Sequence, residues 1–137
     1  MYYVENNILD IDSAVNCLNE FNEPTCIILK HNNPCGVSSC KNILNAYKKA
    51  FSTDKISAFG GIVAINRMVT SNLAKQISKN FFEIIIAKNF TKEALKIFNN
   101  KKNLIIIKPP LSKDKIKKDI KSVNFGYLVQ NLNNKKI

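Results

Sequence analysis

No apolar run in this sequence approaches the ~18 residues that a membrane-spanning helix needs. The longest, such as Ile84-Ile85-Ile86-Ala87 and Leu104-Ile105-Ile106-Ile107, are strand-sized. The N-terminus, Met1 to Asn7, lacks the basic segment and apolar stretch of a secretory signal, so a cytoplasmic location is expected. Arginine is nearly absent: of 21 basic residues, Arg67 is the only one. Base readout and bidentate phosphate contacts favour arginine. The net charge of +11 therefore reads as a solvated lysine surface rather than a specific nucleic-acid interface. Such a surface would still attract phosphorylated or polyanionic small substrates. There is a single histidine, His31, and the four cysteines form no zinc pattern. Cys35 and Cys40 stand in C-x4-C with no second pair, so free thiols and no metal are expected. No G-K-[ST] follows Gly60-Gly61, which excludes a phosphate loop of that type.

What is present suffices for a packed core. Apolar residues make up 45% of the 137, and a chain of this length buries roughly 70% of its unfolded surface as one domain. Asp10 to Phe21 places Ala14, Cys17, Leu18 and Phe21 at helical spacing, with Asp10 or Asp12 as N-cap and Pro24 closing the segment. A strand is expected over residues 25–31, then a turn forced by Asn33-Pro34 and Gly36. Ser38 or Ser39 would cap a helix carrying Ile43, Ala46, Tyr47, Ala50 and Phe51. Ser57-Ala58-Phe59-Gly60-Gly61 reads as a tight turn before a second strand, Ile62 to Ile65. Thr70 or Ser71 caps a helix with Leu73, Ala74 and Ile77, and the third strand is Phe82 to Ala87. A helix from Thr91 to about Asn100 turns Ala94, Leu95 and Phe98 inward. A fourth strand, Leu104 to Ile107, is stopped by Pro109-Pro110. Ser112 to Lys121 reads as a weaker helix or loop, Val123 to Gln130 as a last strand, and residues 131–137 as a frayed end. Strands alternate with helices and several are continuously apolar, which predicts a largely parallel sheet covered on both faces.

Candidate chemistry concentrates at Lys30-His31-Asn32-Asn33-Pro34-Cys35-Gly36. The histidine sits beside a lysine at the end of a buried strand, where open α/β sheets place ligand-binding side chains. This pairs a group that titrates near neutrality with a cation whose pKa is readily lowered, and Asn32 and Asn33 add polar groups. The bland alternative is a histidine satisfied by a backbone carbonyl and a lysine reaching to solvent. A thiol nucleophile at Cys35 activated by His31 lacks a third, orienting group. Pro34-Cys35 echoes the zinc nucleobase deaminases, but Asn33 stands where their glutamate would be and the second cysteine is displaced to Cys40. Phe59-Gly60-Gly61 is either a bare turn or a place where backbone N–H groups meet a ligand. Glu83 opens a strand between apolar neighbours, so it lies at a sheet edge facing water or holds a donor in a cleft.

Taken in order, Lys30 to Gly36, Ala46-Tyr47-Lys48-Lys49-Ala50-Phe51, Ser57-Ala58-Phe59-Gly60-Gly61 and Glu83-Ile84-Ile85-Ile86-Ala87 resemble one family. It is the formyltransferase portion of AICAR transformylase/IMP cyclohydrolase. Asn6-Asn7-Ile8 upstream and Val123 to Gln130 downstream match as well, so the resemblance covers nearly the whole chain. It implies a three-layer α/β fold, a mostly parallel sheet with helices on both faces, cytidine-deaminase-like. It implies transfer of the formyl group of 10-formyltetrahydrofolate to the 5-amino group of AICAR, giving FAICAR, in purine biosynthesis. By position it implies His31 as proton acceptor and Lys30 as the group stabilising the transition state. Gly60 and Glu83 match positions that bind the AICAR nucleotide, and Asn33 and Phe59, in the same elements, are further substrate-binding candidates. The implied partners are the AICAR nucleotide, folate, and either a homodimer mate or a complementing C-terminal half; no metal, membrane or specific nucleic acid is expected. The cyclohydrolase domain, the second half of the transformylase region and an arginine-tyrosine element before Asn6 have no counterpart in the sequence. Residues 1–137 are accordingly expected to be the first half of one formyltransferase domain. The alternatives are a non-catalytic fragment and a basic nucleic-acid-binding module.

Overall fold

Alternate residues of the first strand, β1 (Thr25–Lys30), enter two separate cores: Cys26 and Ile28 on one face, Ile27 and Leu29 on the other. That is the period-two signature of a strand buried on both sides. The computed structural model describes residues 2–109 and 118–131. Ahead of β1 lies helix α1 (Tyr2–Leu18); after it come β2 (Asn33–Ser39), α2 (Ile43–Thr53), the short α3 (Lys55–Ala58) and β3 (Gly61–Val69). Helix α4 (Ser71–Ile77), β4 (Phe82–Phe90), α5 (Lys92–Asn99) and β5 (Ile105–Ile107) complete the main body, and β6 (Lys118–Val123) and β7 (Gly126–Asn131) follow.

The five-stranded sheet has the order β2-β1-β3-β4-β5. Strands β3, β4 and β5 are parallel, and β1 runs antiparallel to both of its neighbours, so it alone is reversed. Helix α1 covers one face through Ala14 and Leu18 against Ile27, Leu29, Ile62, Ala64, Ile84 and Ile86. Helices α2, α4 and α5 cover the other, with Tyr47, Leu73, Ile77 and Phe98 against Val63, Ile65, Ile85 and Phe82. The molecule is thus the three-layer α/β fold expected, with helices on both faces of a mixed sheet in which four of the five strands share one direction.

Several local expectations are corrected. The turn falls at His31-Asn32, and Asn33-Pro34-Cys35-Gly36 forms an edge strand. Proline is tolerated at an edge, and Gly36 serves close packing: a Cβ there would lie 2.0 Å from the Ala50 carbonyl oxygen of α2. Helix α1 starts well before Asp10 and ends before Phe21, so Asp10 and Asp12 lie inside it rather than at its cap. The cap of α2 is Asn42, whose side chain accepts from Leu44 N–H at 2.8 Å; neither Ser38 nor Ser39 serves. Residues 118–121, read as helix or loop, belong to β6, and the single last strand is instead an antiparallel hairpin turning at Asn124-Phe125. The remainder of the weak 112–121 segment, and residues 132–137 of the frayed end, lie outside the described residues.

Candidate active site

Two backbone irregularities build the site. The β1–β2 hairpin reverses in two residues, His31 (φ 52°) and Asn32 (φ 60°), both left-handed. This is the primed turn whose twist suits a tight hairpin. Histidine and asparagine are among the non-glycine residues that enter this region most readily. The second irregularity lies between β3 and β4: Gly61 faces Phe82 and Ile62 faces Ile84, leaving Glu83 as the extra residue of a β-bulge. A bulge re-aims its side chain. Glu83 is therefore exposed at the sheet's end while Phe82 and Ile84 remain buried.

The loop between α3 and β3 completes the arrangement. Asp54 caps α3, accepting from Ile56 and Ser57 N–H and, at 2.6 Å, from the Ser57 hydroxyl. The Ser57 hydroxyl and the backbone N–H groups hold its carboxyl below the usual range. Gly60 then adopts φ 71° and donates its N–H to the Phe81 carbonyl at 2.9 Å. A Cβ on Gly60 would stand 3.5 Å from the Phe81 ring and 3.8 Å from the Glu83 carboxylate, so only glycine leaves that surface open without backbone strain. Gly61, by contrast, is occupied internally, pressed against the Leu29 carbonyl.

These elements enclose a cavity of about 240 Å3 lined by Lys30, His31, Phe59, Gly60 and Glu83 together with Asn7, Asp10 and Phe81. The Lys30 ammonium donates to the Phe59 carbonyl at 2.7 Å, tying the end of β1 to the glycine loop. One of its three N–H donors is used there, and two remain for a ligand. His31 is exposed, and its ring makes no hydrogen bond among the described residues. Asn33 is not brought in: its side-chain amide turns back to the His31 carbonyl at 2.9 Å. Asn7, Asp10 and Phe81 were missed as candidates. Asn7 lay within the matched Asn6-Asn7-Ile8, but only the packing of α1 over the sheet shows that it reaches the cavity.

The site's polarity is mixed: an ammonium, an imidazole and two carboxylates meet at the sheet's end. Because β1 is reversed, its carboxyl end meets the amino ends of β3 and β4 here, unlike the carboxyl-end crevice of a purely parallel sheet. Cys35 is a poor nucleophile. Burial and the nearby Asp54 raise its thiol pKa, only partly offset by Lys30, and thiolate is the reactive form. All four cysteines are free, and no group of three metal-binding side chains occurs among the described residues. Nor does any described helix have the length and apolarity to cross a membrane. A larger cavity, about 440 Å3, lies beyond the Phe59–Phe81 aromatic pair; its charged lining is Lys79, Lys101 and Lys102, with no carboxylate or imidazole.

Comparison with known proteins gives consistent findings. The profile of the AICARFT/IMPCHase bienzyme family matches residues 3–137. The bifunctional purine biosynthesis protein PurH of Caldicellulosiruptor bescii is 56% identical over 126 residues, covering 91% of this chain and 25% of that protein. Its counterpart in Buchnera aphidicola subsp. Baizongia pistaciae is 49% identical over 132 residues, covering 94% and 25%. That of Staphylococcus epidermidis is 43% identical over 132 residues, covering 96% and 27%. The chain spans about a quarter of the length of these curated relatives. Among solved structures, RibD of Acinetobacter baumannii superposes with TM-score 0.53 at 14% identity, over 72% of this chain and 33% of that one. A protein described as a formate dehydrogenase accessory protein from Desulfotalea psychrophila gives 0.55 at 12% identity, over 80% and 45%. These two likenesses concern the fold alone, and they agree with the cytidine-deaminase-like class.

Proposed function

This chain belongs to the AICARFT/IMPCHase bienzyme family, and we propose that it carries the reacting half of a formyl-transfer site, as the first part of the formyltransferase portion. The reaction is transfer of the formyl group of 10-formyltetrahydrofolate to the 5-amino group of the AICAR nucleotide in purine biosynthesis. The observation that supports it is the meeting of Lys30 and His31 with Gly60 and Glu83 around one cavity.

The chemistry follows from these groups. An aromatic amine is a weak nucleophile, and it gains strength as a base takes its proton during attack. The His31 imidazole takes that role. As the amine nitrogen bonds to the formyl carbon, negative charge grows on the formyl oxygen, and the free donors of the Lys30 ammonium face it. The carbon–N10 bond then breaks, and the proton carried by His31 passes to the departing tetrahydrofolate nitrogen. The Gly60 surface and the Glu83 carboxylate receive the nucleotide, and Phe59 offers an apolar wall.

The cavity's size bears on what else is needed. At about 240 Å3 it falls below the roughly 300–1,000 Å3 of ordinary ligand pockets. A nucleotide and a folate together require further walls, which we assign to the remaining polypeptide of a family enzyme or to a second subunit. Two large substrates must be aligned, and loss of remote binding energy weakens the chemical step itself.

The test is formyl transfer by this chain alone and mixed with the remainder of a family enzyme, as wild type and as His31→Ala. The expected outcome is activity on mixing that falls about 10²–10⁴-fold in His31→Ala, the range for loss of a general base. Inactivity in every combination would sink the enzyme reading in favour of a non-catalytic piece. RNA or DNA binding with a steep salt dependence would replace it with the basic-module reading.

A further inference from the structure

We propose that Asp10 is the positioning residue of this site: its carboxylate on α1 fixes the left-handed His31-Asn32 turn, and with it the direction in which the imidazole meets the cavity. The turn's own residues do not secure its shape. Primed two-residue turns favour Asn-Gly or Gly-Gly, whereas here both central residues carry a Cβ at positive φ. Such conformations cost about 1 kcal/mol or more each and persist where surroundings over-determine them.

The surroundings are on α1. Asp10 Oδ1 accepts the Asn32 backbone N–H at 2.7 Å. With its amide nitrogen turned toward the helix, the orientation in which every contact is a donor–acceptor pair, Asn32 Nδ2 donates to Asp10 Oδ1 at 3.0 Å. The same nitrogen lies 3.1 Å from both the Leu9 carbonyl and the Ser13 hydroxyl. Bonds to a carboxylate are about twice as strong as neutral ones. Asp10 is only 9% exposed, and a carboxylate withdrawn from water is costly unless donors are aimed at it. The turn supplies those donors, so helix and hairpin fix each other. Asp10 also lines the same cavity as His31, which places the anchor beside the group it aims.

The catalytic consequence rests on the function proposed above; the structural one does not, and the experiment separates them. Amide exchange at Asn32 and the ring signals of the only histidine are followed by NMR in the 137-residue chain. Asp10→Leu, with the same branching but no acceptor, should speed Asn32 exchange about tenfold or more while Ile84 to Ile86 keep their protection. It should also move or broaden the His31 signals. Asp10→Asn, whose amide oxygen still accepts, should stay near wild type in both. In the mixed formyl-transfer assay, Asp10→Leu should lower kcat about tenfold with KM for AICAR within about twofold, and Asp10→Asn should recover most of the loss. Unchanged Asn32 exchange and unchanged His31 signals in folded Asp10→Leu would overturn the proposal. Should Asp10→Leu not fold, Asp10→Ala decides: faster Asn32 exchange with Ile84 to Ile86 still protected supports the anchor, and unchanged Asn32 exchange refutes it. Absence of transfer in wild type removes the formyl-transfer reading and leaves the exchange result standing.

Discussion

The β1–β2 and β6–β7 hairpins both reverse within two residues, at His31-Asn32 and at Asn124-Phe125. The first puts positive φ on two residues with side chains and holds them there from α1. In the second, positive φ falls on a glycine, Gly126 at 145°, and every described residue of both strands is exposed. Its pairs leave Ile120 beside Val129 on one face, and Phe125 stands fully in solvent. Two strands alone are marginal in water. A tight turn can thus be imposed by tertiary contacts or left to its own residues, and in this chain the candidate chemistry sits on the imposed one.

The largest expected effect, beyond the His31 and Asp10 variants, comes from unseating the held hairpin. Gly36→Ala drives a methyl into the Ala50 carbonyl, 2.0 Å away, and should cost about 3 kcal/mol in urea unfolding. A loss below about 0.5 kcal/mol would mean that β2 does not lie against α2 as described.

Alkaline pH should act next, through the helix that backs this hairpin. Burial pushes the Tyr47 hydroxyl from its ordinary 10.0 up to about 12, partly opposed by the bond from Asn80. Burial likewise raises the Cys26 thiol. Unfolded chains therefore release these protons first, so stability is full below the unfolded values and is lost as pH climbs toward the folded ones. Urea midpoints should fall between pH 10.0 and about 12 for Tyr47, and Tyr47→Phe should flatten that decline. Equal declines in wild type and variant would discount the buried phenol.

The smallest effect should come from the free hairpin. Ile120→Lys should change the stability of the five-stranded body by less than about 0.5 kcal/mol, as for surface positions generally. A loss above about 1 kcal/mol would show that the hairpin packs on the body, and would break the contrast between the two.

Much of the fold was legible because it rests on local periodicity. Ile84 to Ala87 and Cys26 to Leu29 read as buried strands; of the two caps offered for α4, Thr70 is the one, and Thr91, expected to begin α5, stands just before it as its N-cap. The edge strand β2 was not legible. Its Asn-Pro and Gly are turn residues by composition, and only the sheet's edge and the nearness of α2 make them a strand. For the site, Lys30, His31, Gly60 and Glu83 could be singled out from the sequence and the family resemblance. Asp10 could not, since a lone acid on a helix says nothing about what folds against it.

By itself the sequence determined the alternation of strands and helices, the lysine-rich surface and the imidazole and ammonium that line the candidate site. Those depend on side chains and on neighbours within a few positions. The tertiary structure alone decided that β1 runs against its neighbours, that Glu83 is thrown outward by a bulge, and that Asp10 reaches Asn32 across 22 positions. Each of these depends on the packing of segments distant in the chain, and no local pattern encodes which segments will meet.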